Sequence, residues 1–132
     1  MSIIDGASVL LLPSPGQIVM PLSMEVRLYL GKKNNLNLLL DGTQDLLHDQ
    51  NVGSDKLDEA RGDLEVYADA FFAAYNGLSR SQRRKTRDEQ SHIYYCVNGC
   101  MQDLCDAILL KRQREKQVEA ERVRQEKLAE AE

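Results

Sequence analysis

Tryptophan is absent from this 132-residue chain, and two phenylalanines and five tyrosines are its only aromatic residues. Leucine, valine, isoleucine and alanine must therefore fill most of any interior. No stretch approaches the ~18 uninterrupted apolar residues of a membrane-crossing helix, so no membrane partner is expected. The opening Met1–Gly6 lacks the basic start of a secretory leader, and Asp5 interrupts its apolar run, so the expected compartment is the cytoplasm. Cysteine is scarce and clustered. Cys96, Cys100 and Cys105 form an odd set, a poor disulfide framework that fits a reducing compartment. No Cys-x-x-Cys pair occurs, and the phosphate-loop, dinucleotide-binding, nucleophile-elbow and His-Glu-x-x-His patterns are missing. Nucleotide binding and the common hydrolase reactions have no support in this pattern, and no cofactor or enzymatic activity is expected.

What is present suits one globular domain with a modest core: 42% hydrophobic and 29% charged residues and a mean hydropathy of −0.45. The net charge of −4 argues against a bulk nucleic-acid binder. That charge is laid out unevenly. Residues 41–69 hold nine acids and two bases, whereas residues 80–87 hold five bases and no acid. This order implies either self-complementary packing or separate partner surfaces.

The first third of the chain reads as extended. Val9–Leu12 is a short apolar run closed by Pro13-Ser-Pro-Gly16, a strong turn signal. Beyond it, Ile18, Met20, Leu22, Met24, Val26, Leu28 and Leu30 alternate at period two, the mark of a half-buried strand. A β-hairpin pairing residues 8–12 with 17–30 is the first expectation. A helix capped by Ser23 and closed at Gly31 is the competing one. The domain limits that follow are 1–33 for an N-terminal hairpin or extended arm, 34–110 for a helical core and 111–132 for a charged helical tail.

From Asn34 the apolar spacing turns helical, through Leu36, Leu39, Leu40, Leu46 and Leu47, with Gly42 a point where the helix could break. Ser54 is a natural N-cap for a second helix. Leu57, Leu64, Tyr67, Ala68, Phe71, Ala74 and Tyr75 form its apolar face, and Asn76-Gly77 closes it. The short connection at 50–53 makes these two helices antiparallel neighbours. The last helix carries a packing stripe of Ile93, Val97, Cys100, Leu104, Ala107 and Ile108. Gly99 lies within it, and its expected reason is close approach of another backbone. Past Lys111 the stripe thins to Val118, Val123 and Leu128 among alternating charges, which describes a solvated arm that needs something to pack against. The expected fold class is therefore mainly α, with a minor β element at the N-terminus.

Few constellations carry chemistry. Asp88, His92 and Cys96 fall at i, i+4 and i+8, one stripe on a helix, so a carboxylate could orient an imidazole beside a thiol. Coincidence, with Cys96 acting as a small hydrophobe, explains that stripe equally well. His92, Cys96, Cys100 and Cys105 are soft ligands, but one helix cannot wrap them around a tetrahedral zinc, and His48 would have to arrive in space. The pair Tyr94-Tyr95 reads as one residue toward the core and one at its rim. The densest charge feature is Arg80, Arg83, Arg84, Lys85 and Arg87. Two helix starts compete there: Ser79-x-x-Gln82, and Thr86-x-x-Glu89, which is preferred because it leaves the bases in an exposed loop away from the positive helix end.

The expected function is protein–protein interaction or assembly, including inhibition, through helical surfaces, with a protein partner and a homo-oligomer. The packing or interface residues are Ile93, Cys96, Val97, Gly99, Cys100 and Leu104, and the partner-binding residues are the five bases at 80–87. Its size and plainness suit an accessory protein of a virus or mobile element. The alternative is a nucleic-acid-associated regulator that holds phosphates through the same basic segment.

Overall fold

The computed structural model describes residues 22–131, which form three α-helices: α1 (Met24–His48), α2 (Ser54–Asn76) and α3 (Arg80–Ala131). The described chain is all helix and connection, with no strand. α2 packs antiparallel against both neighbours, so α1 and α3 run in the same direction. Leu36, Leu64, Phe71, Ile93 and Leu104, all fully buried, form the centre of the shared core. Nearly all apolar burial thus falls between helices whose inward faces repeat at three and four residues.

The strand expected over 17–30 is corrected where it can be seen. Residues 24–30 are the first two turns of α1, and the Ser23 side chain accepts a hydrogen bond from the Val26 amide at 3.3 Å. The rest of the expected hairpin, 8–12 and 17–21, lies outside the described residues. The reason for the reversal is that the true inward face of α1 runs through polar residues: Val26, Tyr29, Lys33, Leu36, Asn37, Leu40 and Thr43 are buried. The alternating apolar set instead leaves Met24 73% and Leu28 52% exposed. Gly31 does not end this helix and Gly42 does not break it. Packing against α2 outweighs the ~1 kcal/mol that each glycine costs relative to alanine. The proposed boundary at 33 therefore falls inside α1.

α2 begins without the expected serine cap. Gly53 is its N-cap and offers no side chain, while Ser54 is the first helical residue and is buried. The capping anion comes from α3. The Ser54 hydroxyl donates to Glu115 Oε1 at 2.6 Å and its amide to Oε2 at 3.2 Å. These two bonds hold the Glu115 carboxyl below the usual carboxylate range. One turn back, Lys111 Nζ donates to the carbonyls of Gln50 and Val52. Lys111 and Glu115 thus grip the α1–α2 connection from one face of α3.

Gly99 is a second correction. It is exposed, and an added Cβ would meet nothing within 4 Å, so no neighbouring backbone demands it. Gly99→Ala is accordingly expected to stabilise the protein by up to ~1 kcal/mol, read as a raised melting temperature. An unchanged or lowered value would reinstate a close contact.

Candidate functional site

α3 begins at Arg80, not at Thr86. Ser79 and Gln82 form a reciprocal capping box: the Ser79 amide donates to Gln82 Oε1 at 2.9 Å and the Gln82 amide to Ser79 Oγ at 3.2 Å. Thr86, the rejected start, is buried, and its hydroxyl donates back to the Gln82 carbonyl at 2.8 Å. The five bases therefore lie in the first two turns of a helix. Repulsion from the positive end of the helix dipole, worth ~0.3–1 kcal/mol per charge, is outweighed by the cap and by burial of Leu78, Thr86 and Ile93.

The five do not share one role. Arg83 is half-buried and donates through one nitrogen to the carbonyls of Asn76 and Leu78, at 3.1 and 2.8 Å, closing the C-terminus of α2. Its own carbonyl accepts from the Tyr75 hydroxyl at 3.2 Å. Arg80, Arg84, Lys85 and Arg87 are exposed, and none forms an ion pair among the described residues. The acids on α1 and α2 that might have neutralised them sit mostly at the other end of the bundle.

The packing stripe turns inward. Ile93, Val97, Cys100 and Leu104 are buried in the core of the same chain, so they are not offered to a partner. Burial, helped by the nearby Asp103 charge, pushes the Cys100 thiol up to about 11, so it stays protonated and inert at neutral pH. Cys96 is half-buried, with its sulfur 3.6 Å from His92 Nε2, and Cys105 is exposed. His48 ends α1, where its Nδ1 lies 2.7 Å from the Gln44 carbonyl. Lys33 pairs with Glu89 across the parallel α1 and α3, so His48 and His92 stand roughly 18 Å apart along the bundle axis. Among the described residues no group of three His, Cys, Asp or Glu side chains could hold a metal ion. Neither member of the Tyr94-Tyr95 pair enters the core: they are 54% and 78% exposed, and Tyr94 meets Phe72 edge-on at 5.6 Å.

The chain matches no family model, and the comparisons with curated proteins and with solved structures found no match.

One feature escaped the sequence reading, a charged layer inside the bundle. Glu89 Oε1 accepts from the Tyr29 hydroxyl at 2.6 Å and lies 2.9 Å from Lys33 Nζ, with the lysine and glutamate side chains 1% and 8% exposed. Burial, then the bond to Glu89, raises the Tyr29 phenol well above its ordinary value, so it remains a donor. Glu89 Oε2 and both amide atoms of the Asn37 side chain find no hydrogen-bond partner among the described residues. A layer of this kind favours one register of α1 on α3, because sliding either helix would strand a buried charge. Its only sequence signal was Lys33 and Asn37 falling on the core spacing of α1.

Among the described residues, hollows border the bundle's far end. One, of about 410 Å³, lies between the 50–53 connection and α3 residues Lys111–Glu119. A smaller one, of about 220 Å³, lies between α1 and α2 around Thr43 and Ala60. Neither is lined by His92 or Cys96.

Proposed function

We propose that this protein is a non-enzymatic assembly or inhibitory protein that binds a protein partner through helical surfaces. The length of α3 carries the reading. At 52 residues it is more than twice as long as α2, and among the described residues Glu115 makes its last hydrogen bond to the rest of the bundle. Beyond it, residues 116–131 run on for about 24 Å. Among the described residues the arm's ion pairs are all internal, such as Arg122 with Glu119 and with Glu126, and Val118 and Leu128 are 70% and 56% exposed. Exposed pairs of this kind add little stability, so a helix of this length and composition gains most of its order from a surface it packs against.

The test compares the full chain with one ending at Glu115. Both are tagged and offered host extract and untagged full-length protein. The full chain is expected to retain a protein in stoichiometric amount, and the shortened chain to lose it while keeping its melting temperature. Equal retention by both, or none by either, would overturn the reading.

Exposure of Arg80, Arg84, Lys85 and Arg87 in the opening turns of α3 favours a second reading, a regulator that binds nucleic-acid phosphates. Affinity would then fall with salt at a log–log slope of about −0.9 per phosphate contact. Absence of any band shift at low salt would end it.

A further inference from the structure

The fold sorts charge to opposite ends of the bundle. Residues 24–33 and 80–89 meet at one end and carry eight bases and three acids. Residues 41–49, 54–65 and 103–115 gather at the other and carry eleven acids and five bases. At the acidic end Asp58, Glu59 and Glu65 are engaged by Lys56, Arg61 and Arg112. Asp41, Asp45, Asp49 and Asp55 form no ion pair among the described residues, nor do Arg80, Arg84 and Arg87 at the basic end. The two ends are separated by roughly 30 Å of helix, several times the ~8 Å screening length at physiological salt. They therefore cannot neutralise one another within a molecule, but they can between molecules.

We propose that copies of this chain associate head to tail, with the basic end of one (Arg80, Arg84, Arg87) seated on the acidic end of the next (Asp41, Asp45, Asp49, Asp55). This rests on the reading of the chain as an assembly protein and names the partner as a second copy. Two observations favour that occupant over a nucleic acid. The same chain supplies a carboxylate set to match its basic set. In addition, α3 leaves the bundle at the acidic end, so its outer arm extends along the flank of a copy docked there. Met24 and Leu28, exposed on α1, belong to the basic end of that incoming copy, within the reach of the arm's Val118 and Leu128. The contact is heterologous: within each contact a copy uses one end and leaves its other end open, so association builds chains, or rings where the rotation closes.

Sedimentation velocity on the purified full-length protein tests this across concentration and salt. The expected result is mass that grows with concentration at low salt and shrinks toward monomer as salt rises. Arg80→Glu/Arg84→Glu/Arg87→Glu reverses the basic patch and leaves neither end positive, and Asp41→Lys/Asp45→Lys/Asp49→Lys reverses the aspartate patch and leaves neither end negative. Each variant alone is expected to associate about tenfold or more weakly than the parent. Mixing the two is expected to restore association, which neither misfolding nor a nucleic-acid role would produce. Circular dichroism checks the fold of each, and Arg80→Gln/Arg84→Gln/Arg87→Gln serves if a reversal does not fold. A parent that stays monomeric at all concentrations would overturn the proposal, as would association indifferent to the reversals or appearing only with added DNA or RNA. A monomer that still retains a host protein through its arm would sink this proposal alone and leave the assembly reading standing.

Discussion

Glu89→Ala is expected to cost about 3–5 kcal/mol of folding stability, measured by urea denaturation followed by circular dichroism. The reason is what the substitution leaves behind. Lys33 is 1% exposed and has Glu89 as its charge partner at 2.9 Å, while the Tyr29 hydroxyl donates to the same oxygen. Removing the carboxylate strands an ammonium group and a phenol in a poorly solvated interior, and it opens a cavity between α1 and α3. Replacing both charged partners together, as Lys33→Met/Glu89→Leu, is expected to cost far less, because no unpaired charge remains and only the Tyr29 hydroxyl loses its acceptor. The contrast between the two variants is the informative quantity. A single substitution costing under ~1 kcal/mol would mean that Lys33 reaches solvent once released, and that the layer does not hold the helices in register.

Phe71→Ala is expected to cost a similar ~3–5 kcal/mol, with the melting temperature falling by about 10 °C or more. Phe71 is fully buried on α2, with ring centroids 5.4 Å from Tyr29 and 5.1 Å from Phe72. In a chain with only two phenylalanines and no tryptophan, no other large ring stands ready to refill the space. Losing it removes its own transfer energy, leaves a cavity, and frees the Tyr29 ring that carries the hydroxyl to Glu89. Differential scanning calorimetry would show the effect, and a small change would indicate that α1 collapses onto α2 to fill the gap.

How legible the molecule was depends on the element. α2 and the inner part of α3 could be read directly, because Leu57, Leu64, Ala68, Phe71 and Ala74, and then Ile93, Val97, Cys100, Leu104 and Ile108, are apolar residues at helical spacing and are buried as that spacing implies, whereas Tyr67, counted on the same face of α2, is 43% exposed. The second half of α1 was also read as helix from Asn34 on, but its first half was not, because two of the core positions of α1 are Lys33 and Asn37, which a pattern of apolar residues counts as outward. Without them, the period-two alternation from Ile18 to Leu30 was the stronger signal. The start of α3 was misjudged for a related reason. The dipole penalty on five bases is visible in sequence, whereas burial of Thr86 and the bond from Arg83 to the end of α2 appear only after folding.

The order of residues alone decided that this chain is mainly helical, and it decided where acids and bases are concentrated, because helical spacing and charge runs are local properties. It could not decide which charges meet. Acidic 41–69 and basic 80–87 are near neighbours in sequence and read equally as a self-complementary pair or as separate partner surfaces. The direction of three packed helices carries most of them to opposite ends, while bringing Glu89 to Lys33 and Glu115 to Ser54, contacts that span tens of residues. Pairing between distant residues is set by the packing of whole helices, and only the tertiary structure holds that information.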